Sequence, residues 1–275
     1  MGAKIISTHT NLPVPEIENF ARAFLYSGLN SIDAFLAKQP KFVESGKLVI
    51  ASLLCRRESA EAIVNLTNQD DWYRALWNAL SDDVSDPDFL ARNKLKIVTF
   101  NYDRSLEYSL YERIRNSFEV DNIAAQHVLT FFPILHVYGQ LGGLRFSDKL
   151  PGRFYTPEIS YSALKTASDG IQIIPEARDD SPTFQQAREW FEEAERICFL
   201  GFGFDRLNVQ RLGLQKAFEK MQARGKHRPP VFATVYQRTQ TEIAAIAESL
   251  QVSAEKWIPL AHTNLQALRH TRILM

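Results

Sequence analysis

Apolar positions recur every three to four residues through the first third of the chain and gather into short unbroken runs afterwards. Helices are therefore predicted first, and strand–helix alternation later. Ile17, Phe20, Ala21 and Phe24 fall at helical spacing between about Pro15 and Tyr26, and Ser31 is placed to cap a second helix carrying Ile32, Phe35 and Leu36. The run from Gly46 to Leu54 suits either a buried strand or a buried helix, and its continuation through Arg56, Glu58, Ala60 and Ala62 favours helix. Asp70 and Asp71 precede Trp72, Leu76 and Leu80, which predicts an amphipathic helix with acids at its positive end.

From Leu95 the pattern changes. Strands are predicted at 95–100, 133–138, 196–200 and 231–236, and helices at about 104–117, 183–194, 207–222 and 239–250. Such alternation implies an α/β fold with a mostly parallel sheet covered by helices on both faces. The stretch from Ser147 to Asp180, with Pro151, Gly152, Pro157, Gly170 and Pro175, is predicted to be irregular and to form a lid or a rim.

A chain of 275 residues that is 45% apolar and 23% charged has the make-up of a globular protein and can bury its core as one large domain or two small ones, of which one is favoured. Lys plus Arg and Asp plus Glu each total 32, so no net field draws it to nucleic acid or to an anionic membrane. Cys55 and Cys198 stand apart among apolar neighbours, which leaves neither a disulfide framework nor a four-thiolate zinc site. No leader pattern and no apolar run of membrane-spanning length is present, and the expected location is the cytoplasm.

The candidate chemistry sits at the strand ends. The run Ile97-Val98-Thr99-Phe100 leads directly into Asn101 and Asp103, and the next helix follows. In open α/β sheets ligands bind beyond the carboxyl ends of the strands, and a helix N-terminus there favours phosphate or a polarised amide. Asn101 or Asp103 could equally cap the helix beginning near Arg104, although Thr99 at the same strand end leaves capping an incomplete account. His136 ends the run Ile134-Leu135 and reads either as a hydrogen-bonded core histidine or as a catalyst. The glycines Gly139, Gly142 and Gly143 favour the second reading, because closely spaced glycines let backbone approach a ligand. Gly201 and Gly203 end a third strand without the third glycine of a dinucleotide fingerprint, so a tight turn capped by Asp205 or Asn208 competes with nucleotide binding. Metal-ligand spacings, a nucleophile elbow and a phosphate-binding Gly-Lys-Ser/Thr loop are all missing from the sequence. The aromatic face formed by Trp72, Tyr73 and Trp77 suits core or a subunit interface better than nucleic-acid stacking, because no basic groove accompanies it.

Taken in order, these segments resemble the sirtuins. Thr99-Phe100-Asn101-Tyr102-Asp103 is similar to their Thr-x-Asn-x-Asp motif, His136-Val137-Tyr138-Gly139 to their catalytic His-Gly segment, and Gly201-Phe202-Gly203 with Asn208 to their later nucleotide-binding turn. The closer resemblance is to the sirtuin-like NAD hydrolases of bacterial antiphage defence, which share Thr-x-Asn-Tyr-Asp and an Ile-Asp-x-Phe-Leu segment, here Ile32-Asp33-Ala34-Phe35-Leu36.

The resemblance implies a single Rossmann-like, sirtuin-type domain over residues 1–275, with a helical subregion at about 14–92 and the core at about 93–275. It implies cleavage of the bond between nicotinamide and ribose in NAD, with His136 as base, Asn101 holding water or ribose, and Asp103 binding the nicotinamide amide or orienting the loop. Thr99, Gly201, Gly203 and Asn208 would line the nucleotide. NAD is then the substrate and no metal is required. The implied partners are NAD or an ADP-ribose-type nucleotide, and a second copy of the chain or a defence-system protein. Two departures stand out. The four-cysteine zinc module of deacetylating sirtuins has no counterpart, which disfavours lysine deacylation, and neither does the family's Gly-Ala-Gly-x-Ser loop. The competing expectation is a catalytically inactive sirtuin-like module that binds a nucleotide or another protein.

Overall fold

The computed structural model describes residues 2–29, 31–65, 70–146, 152–158, 160–173 and 181–270. The chain is a mixed α/β protein whose strands pair in parallel, and it forms two compact units. One unit comprises Met1–Thr67 with Ile97–Arg178, and the other Asn68–Lys96 with Asp179–Met275.

The chain opens on α1 (Gly2–Thr10), α2 (Val14–Tyr26), α3 (Ile32–Lys38), α4 (Val43–Cys55) and α5 (Ala60–Ile63). Ser31 caps α3 as its position predicts, accepting the Ala34 N–H at 3.4 Å. The ambiguous apolar run proves to be helix α4. Leu48, Val49, Ile50, Ala51, Ser52 and Cys55 are all buried, so the element is enclosed on most sides and shows no polar stripe by which periodicity could declare it. Phe20, Phe35 and Phe42 meet around it with ring centroids 5.8–5.9 Å apart. Each such burial is worth about 1.5–3 kcal/mol of transfer free energy.

Helix α6 (Trp72–Ser81) belongs to the second unit and starts at Asp71, whose carboxylate accepts the Arg74 N–H at 2.9 Å. The first unit resumes with β1 (Ile97–Thr99), α7 (Ser105–Ser117), α8 (Asn122–Leu129), β2 (Ile134–His136) and α9 (Tyr161–Asp169). Strands β1 and β2 run parallel with Ile97 opposite Ile134 and Thr99 opposite His136. Helix α9 packs on α4 and α1. It lies inside the stretch predicted to be irregular, where Ser160 caps it through the Ala163 N–H at 3.2 Å. Of that stretch, residues 147–151, 159 and 174–180 fall outside the described residues.

In the second unit α10 (Pro182–Glu193), β3 (Ile197–Phe199), α11 (Arg206–Leu212), α12 (Leu214–Ala223), β4 (Val231–Thr234), α13 (Gln240–Leu250), β5 (Trp257–Leu260) and α14 (Asn264–His270) follow in order. The sheet order is β3-β4-β5, all parallel. Strand β5 escapes prediction because Pro259 interrupts its four residues. Helix α13 begins with a full capping box, Thr239 and Glu242 each binding the other's backbone N–H.

Candidate functional site

The register of the first unit's sheet brings two of the sequence-named residues together. Thr99 and His136 are cross-strand partners at the carboxyl ends of β1 and β2, and the ladder closes with the Val137 N–H donating to the Thr99 carbonyl at 3.1 Å. Beyond β1 the chain turns, and the Asn101 N–H donates to Thr99 Oγ1 at 3.1 Å. That turn aims the Asn101 carbonyl at His136, whose Nδ1 lies 2.7 Å away. The other ring nitrogen, Nε2, lies 2.5 Å from Glu107 Oε1 in the first turn of α7.

Both partners of the ring are acceptors. A carbonyl oxygen has no proton to give, so Nδ1 donates to it, and Nε2 donates to the Glu107 carboxylate whenever the ring is protonated. The His136 side chain is 7% exposed and that of Glu107 14%. Burial alone would push the imidazole below its ordinary pKa. The Glu107 hydrogen bond and charge, the Asn101 carbonyl and the nearby Asp103 carboxylate outweigh burial, and the pKa is raised. His136 thus holds a proton more tightly than a free imidazole does.

The remaining polar residues of the motif divide between capping and packing. Asp103 accepts from both the backbone N–H, at 3.2 Å, and the hydroxyl of Ser105, and so secures the start of α7. The Tyr102 hydroxyl donates to Asp33 Oδ1 at 3.0 Å, which joins the Thr-x-Asn-Tyr-Asp segment to the Ile-Asp-x-Phe-Leu segment at α3. Asp33 has a raised pKa because burial outweighs that bond. Asn101 is exposed, and its contacts with Thr99 and His136 are made by its backbone N–H and carbonyl.

The glycines after β2 have a packing role. Gly139 has φ +75, and any Cβ there would strike the Gly170 carbonyl. Two backbone segments cross at this point, with the Gln140 N–H donating to the Gly170 carbonyl at 3.0 Å and the Gln172 N–H to the Tyr138 carbonyl at 2.8 Å. The close approach that these glycines permit is of backbone to backbone.

Gly201, Gly203 and Asn208 lie in the second unit, after β3. Gly201 takes φ +63, and its N–H donates to Thr234 Oγ1 at 2.8 Å. Thr234 Oγ1 donates in turn to Asn264 Oδ1 at 3.2 Å. A Cβ at Gly203 would meet no atom within 4 Å. Asp205 caps α11, accepting the N–H of Leu207 at 3.0 Å and of Asn208 at 3.2 Å. The nearby Cys198 thiol is pushed up to about 12 by burial, and Cys55 of the first unit to about 11 for the same reason, so neither is a nucleophile near neutral pH.

No family model, curated protein or solved structure matches the chain. What the strand ends can do is set by their own chemistry: an exposed asparagine and a hydrogen-bonded His136–Glu107 pair at the carboxyl ends of two parallel strands, where such sheets bind ligands. Among the described residues no group of three or more His, Cys, Asp or Glu side chains is placed to hold a metal ion, and no helix is long and apolar enough to cross a membrane.

Sequence reasoning missed Glu107, Glu58, Arg104 and Arg153. Arg104 is fully buried, and Glu58 receives its Nε at 2.9 Å and its Nη2 at 2.7 Å, while Arg153 Nη2 shares the same carboxylate. Glu58 and Arg104 are 46 residues apart, and Glu107 and His136 are 29 apart. One available signal was Glu107 in the first turn of the helix that Asp103 opens, a place where an acid reaches back over the strand ends.

Proposed function

We propose that the first unit's strand ends hydrolyse the bond between nicotinamide and ribose in NAD, in the manner of the sirtuin-like defence enzymes that the motifs resemble. One observation carries this reading. Asn101 and His136 meet at the ends of two paired parallel strands, 2.7 Å apart through the Asn101 carbonyl, with an acid behind the imidazole. The reaction breaks the C–N bond, with the electron pair leaving on nicotinamide, and water adds to the ribose carbon while losing a proton. The Asn101 amide holds the ribose or the incoming water. His136 acts as base in its neutral form, with the Asn101 carbonyl holding its proton on Nδ1; Nε2 takes the proton of water once Glu107 turns aside, and the Glu107 carboxylate then stabilises the imidazolium so formed. Asp103 acts through the loop that it caps. The nucleotide-lining role of Thr99, Gly201, Gly203 and Asn208 rests on the resemblance alone, as does the antiphage setting.

A second reading, a module that binds an ADP-ribose-type nucleotide or a partner protein without turnover, is favoured by one feature. Both nitrogens of His136 are engaged and its side chain is 7% exposed. Nicotinamide release from NAD separates the two. Hydrolysis predicts release by the wild type and its loss in Asn101→Ala and His136→Ala variants that keep the wild-type thermal transition. Calorimetric binding of NAD with no release in any of the three supports the module instead.

A further inference from the structure

The first unit contains a pocket of about 470 Å³ whose lining holds none of the residues assigned to NAD cleavage. Arg145, Arg153, Glu158, Ser160, Ser162 and Thr166 supply most of its polar wall. Arg153 is 5% exposed, and its Nε and Nη1 have no hydrogen-bond partner among the described residues. Native structures rarely leave charged donors orphaned, because each such group forfeits its hydration without compensation.

The charges around it make the deficit specific. Glu58 is a single carboxylate shared by two buried guanidiniums, Arg104 and Arg153. Arg104 completes its set of acceptors with the carbonyls of Gly143 at 3.0 Å, Arg153 at 2.9 Å and Phe154 at 3.2 Å. Arg153 has no such set. The trio therefore buries one surplus positive charge, and that charge sits on the member that lines the pocket. Because the Arg153 side chain is buried, this charge is weakly screened.

Around the same space stands the N-terminus of α9, with Ser160, Ser162 and Ala163 in the wall. The positive end of the helix dipole adds to the field of Arg153. Arg145, lying over the Phe154 ring at 4.8 Å, adds a second guanidinium, and Glu158 offsets one positive charge at the rim. The volume exceeds what a bare ion needs and suits a small organic molecule.

We propose that this pocket binds a small phosphorylated metabolite, whose phosphoryl oxygens supply the acceptors that Arg153 lacks. The inference is independent of NAD cleavage. Calorimetry and thermal shift on the full chain test it with ribose 5-phosphate, AMP, inorganic phosphate and succinate. Ribose 5-phosphate or AMP should raise the thermal midpoint and bind more tightly than inorganic phosphate, and succinate should bind far more weakly. Arg153→Lys keeps a cation for Glu58 but loses the orphaned donors, and should weaken binding about tenfold or more. Arg145→Gln leaves the buried trio intact and should weaken binding. His136→Ala should bind these phosphates normally, which keeps failure here distinct from failure of the catalytic reading. No binding of any phosphate to the wild type at about 10 mM, unchanged affinity in both arginine variants, or succinate binding as tightly as the phosphates would each overturn the proposal.

Discussion

The strand ends of the first unit and those of the second begin from the same sequence pattern, a short apolar run breaking into polar residues and glycine, and finish as different chemistry. After β1 and β2 the polar groups are ionisable pairs: His136 against Glu107, with Arg104, Glu58 and Arg153 behind the neighbouring loops. After β3 they form a neutral relay from the Gly201 N–H to Thr234 and on to Asn264. A turn needs only its backbone groups satisfied, and the second unit does no more than that. The first unit also sets an imidazole against a carboxylate there, the arrangement that proton transfer requires, whereas beyond β3 the Asp205 carboxylate caps a helix. The lesson is that polar strand ends mark a site only when charge remains there after the turn has been built.

The largest effect should come from removing the charge that holds the first unit's loops. Glu58→Gln would leave Arg104 and Arg153 buried with no counter-charge, and uncompensated buried ions typically cost about 3–5 kcal/mol. Chemical denaturation should show a loss of that order in the transition of the first unit. A loss below about 1 kcal/mol would mean that the guanidiniums are solvated, and the contrast between the two units would lose its electrostatic basis.

Much of this contrast was legible in the chain, and the illegible part has a common cause. Each of the four strand segments read from apolar runs contains an observed strand, and Ser31, Asp71 and Thr239 cap helices because capping is written within four residues of sequence. The glycines at 139–143 were legible as a close approach but not as to what approaches, since backbone at Gly170 and a ligand demand the same missing Cβ. The partners of the charged groups were not legible at all. Glu107 meets His136, and Glu58 meets Arg104 and Arg153, only through tertiary packing, and no local period encodes it. Helix α9 hid among prolines and glycines on either side, although Ser160 carried its start signal.

A smaller effect, and one that sharpens the comparison through pH, belongs to Glu107→Gln. The substitution keeps an acceptor for Nε2 but removes the charge, so the His136 titration followed by NMR should move to lower pH. The sign for stability follows from the raised pKa. His136 binds its proton more tightly when folded, so its contribution is complete below its ordinary value of 6.5 and disappears as pH rises through the higher folded value. Wild type should therefore exceed the variant most at mildly acid pH, by about 1.5–3 kcal/mol for a charged hydrogen bond in a largely buried setting, with the gap closing at alkaline pH. A gap independent of pH would show that the pair is neutral in the folded protein.

The smallest effect tests the second unit. Thr234→Val keeps shape at a residue 8% exposed but removes the oxygen that receives the Gly201 N–H and donates to Asn264. A neutral hydrogen bond of this kind is worth about 1 kcal/mol net, and no titratable group takes part in it. Its loss should be nearly constant across the pH range in which the Glu107 variant's deficit grows and fades. Parallel denaturation series of the two variants give the comparison directly. If the Thr234 deficit followed pH as the Glu107 deficit does, the turn after β3 would have to be coupled to an ionisable group, and the neutral account of the second unit's strand ends would fail.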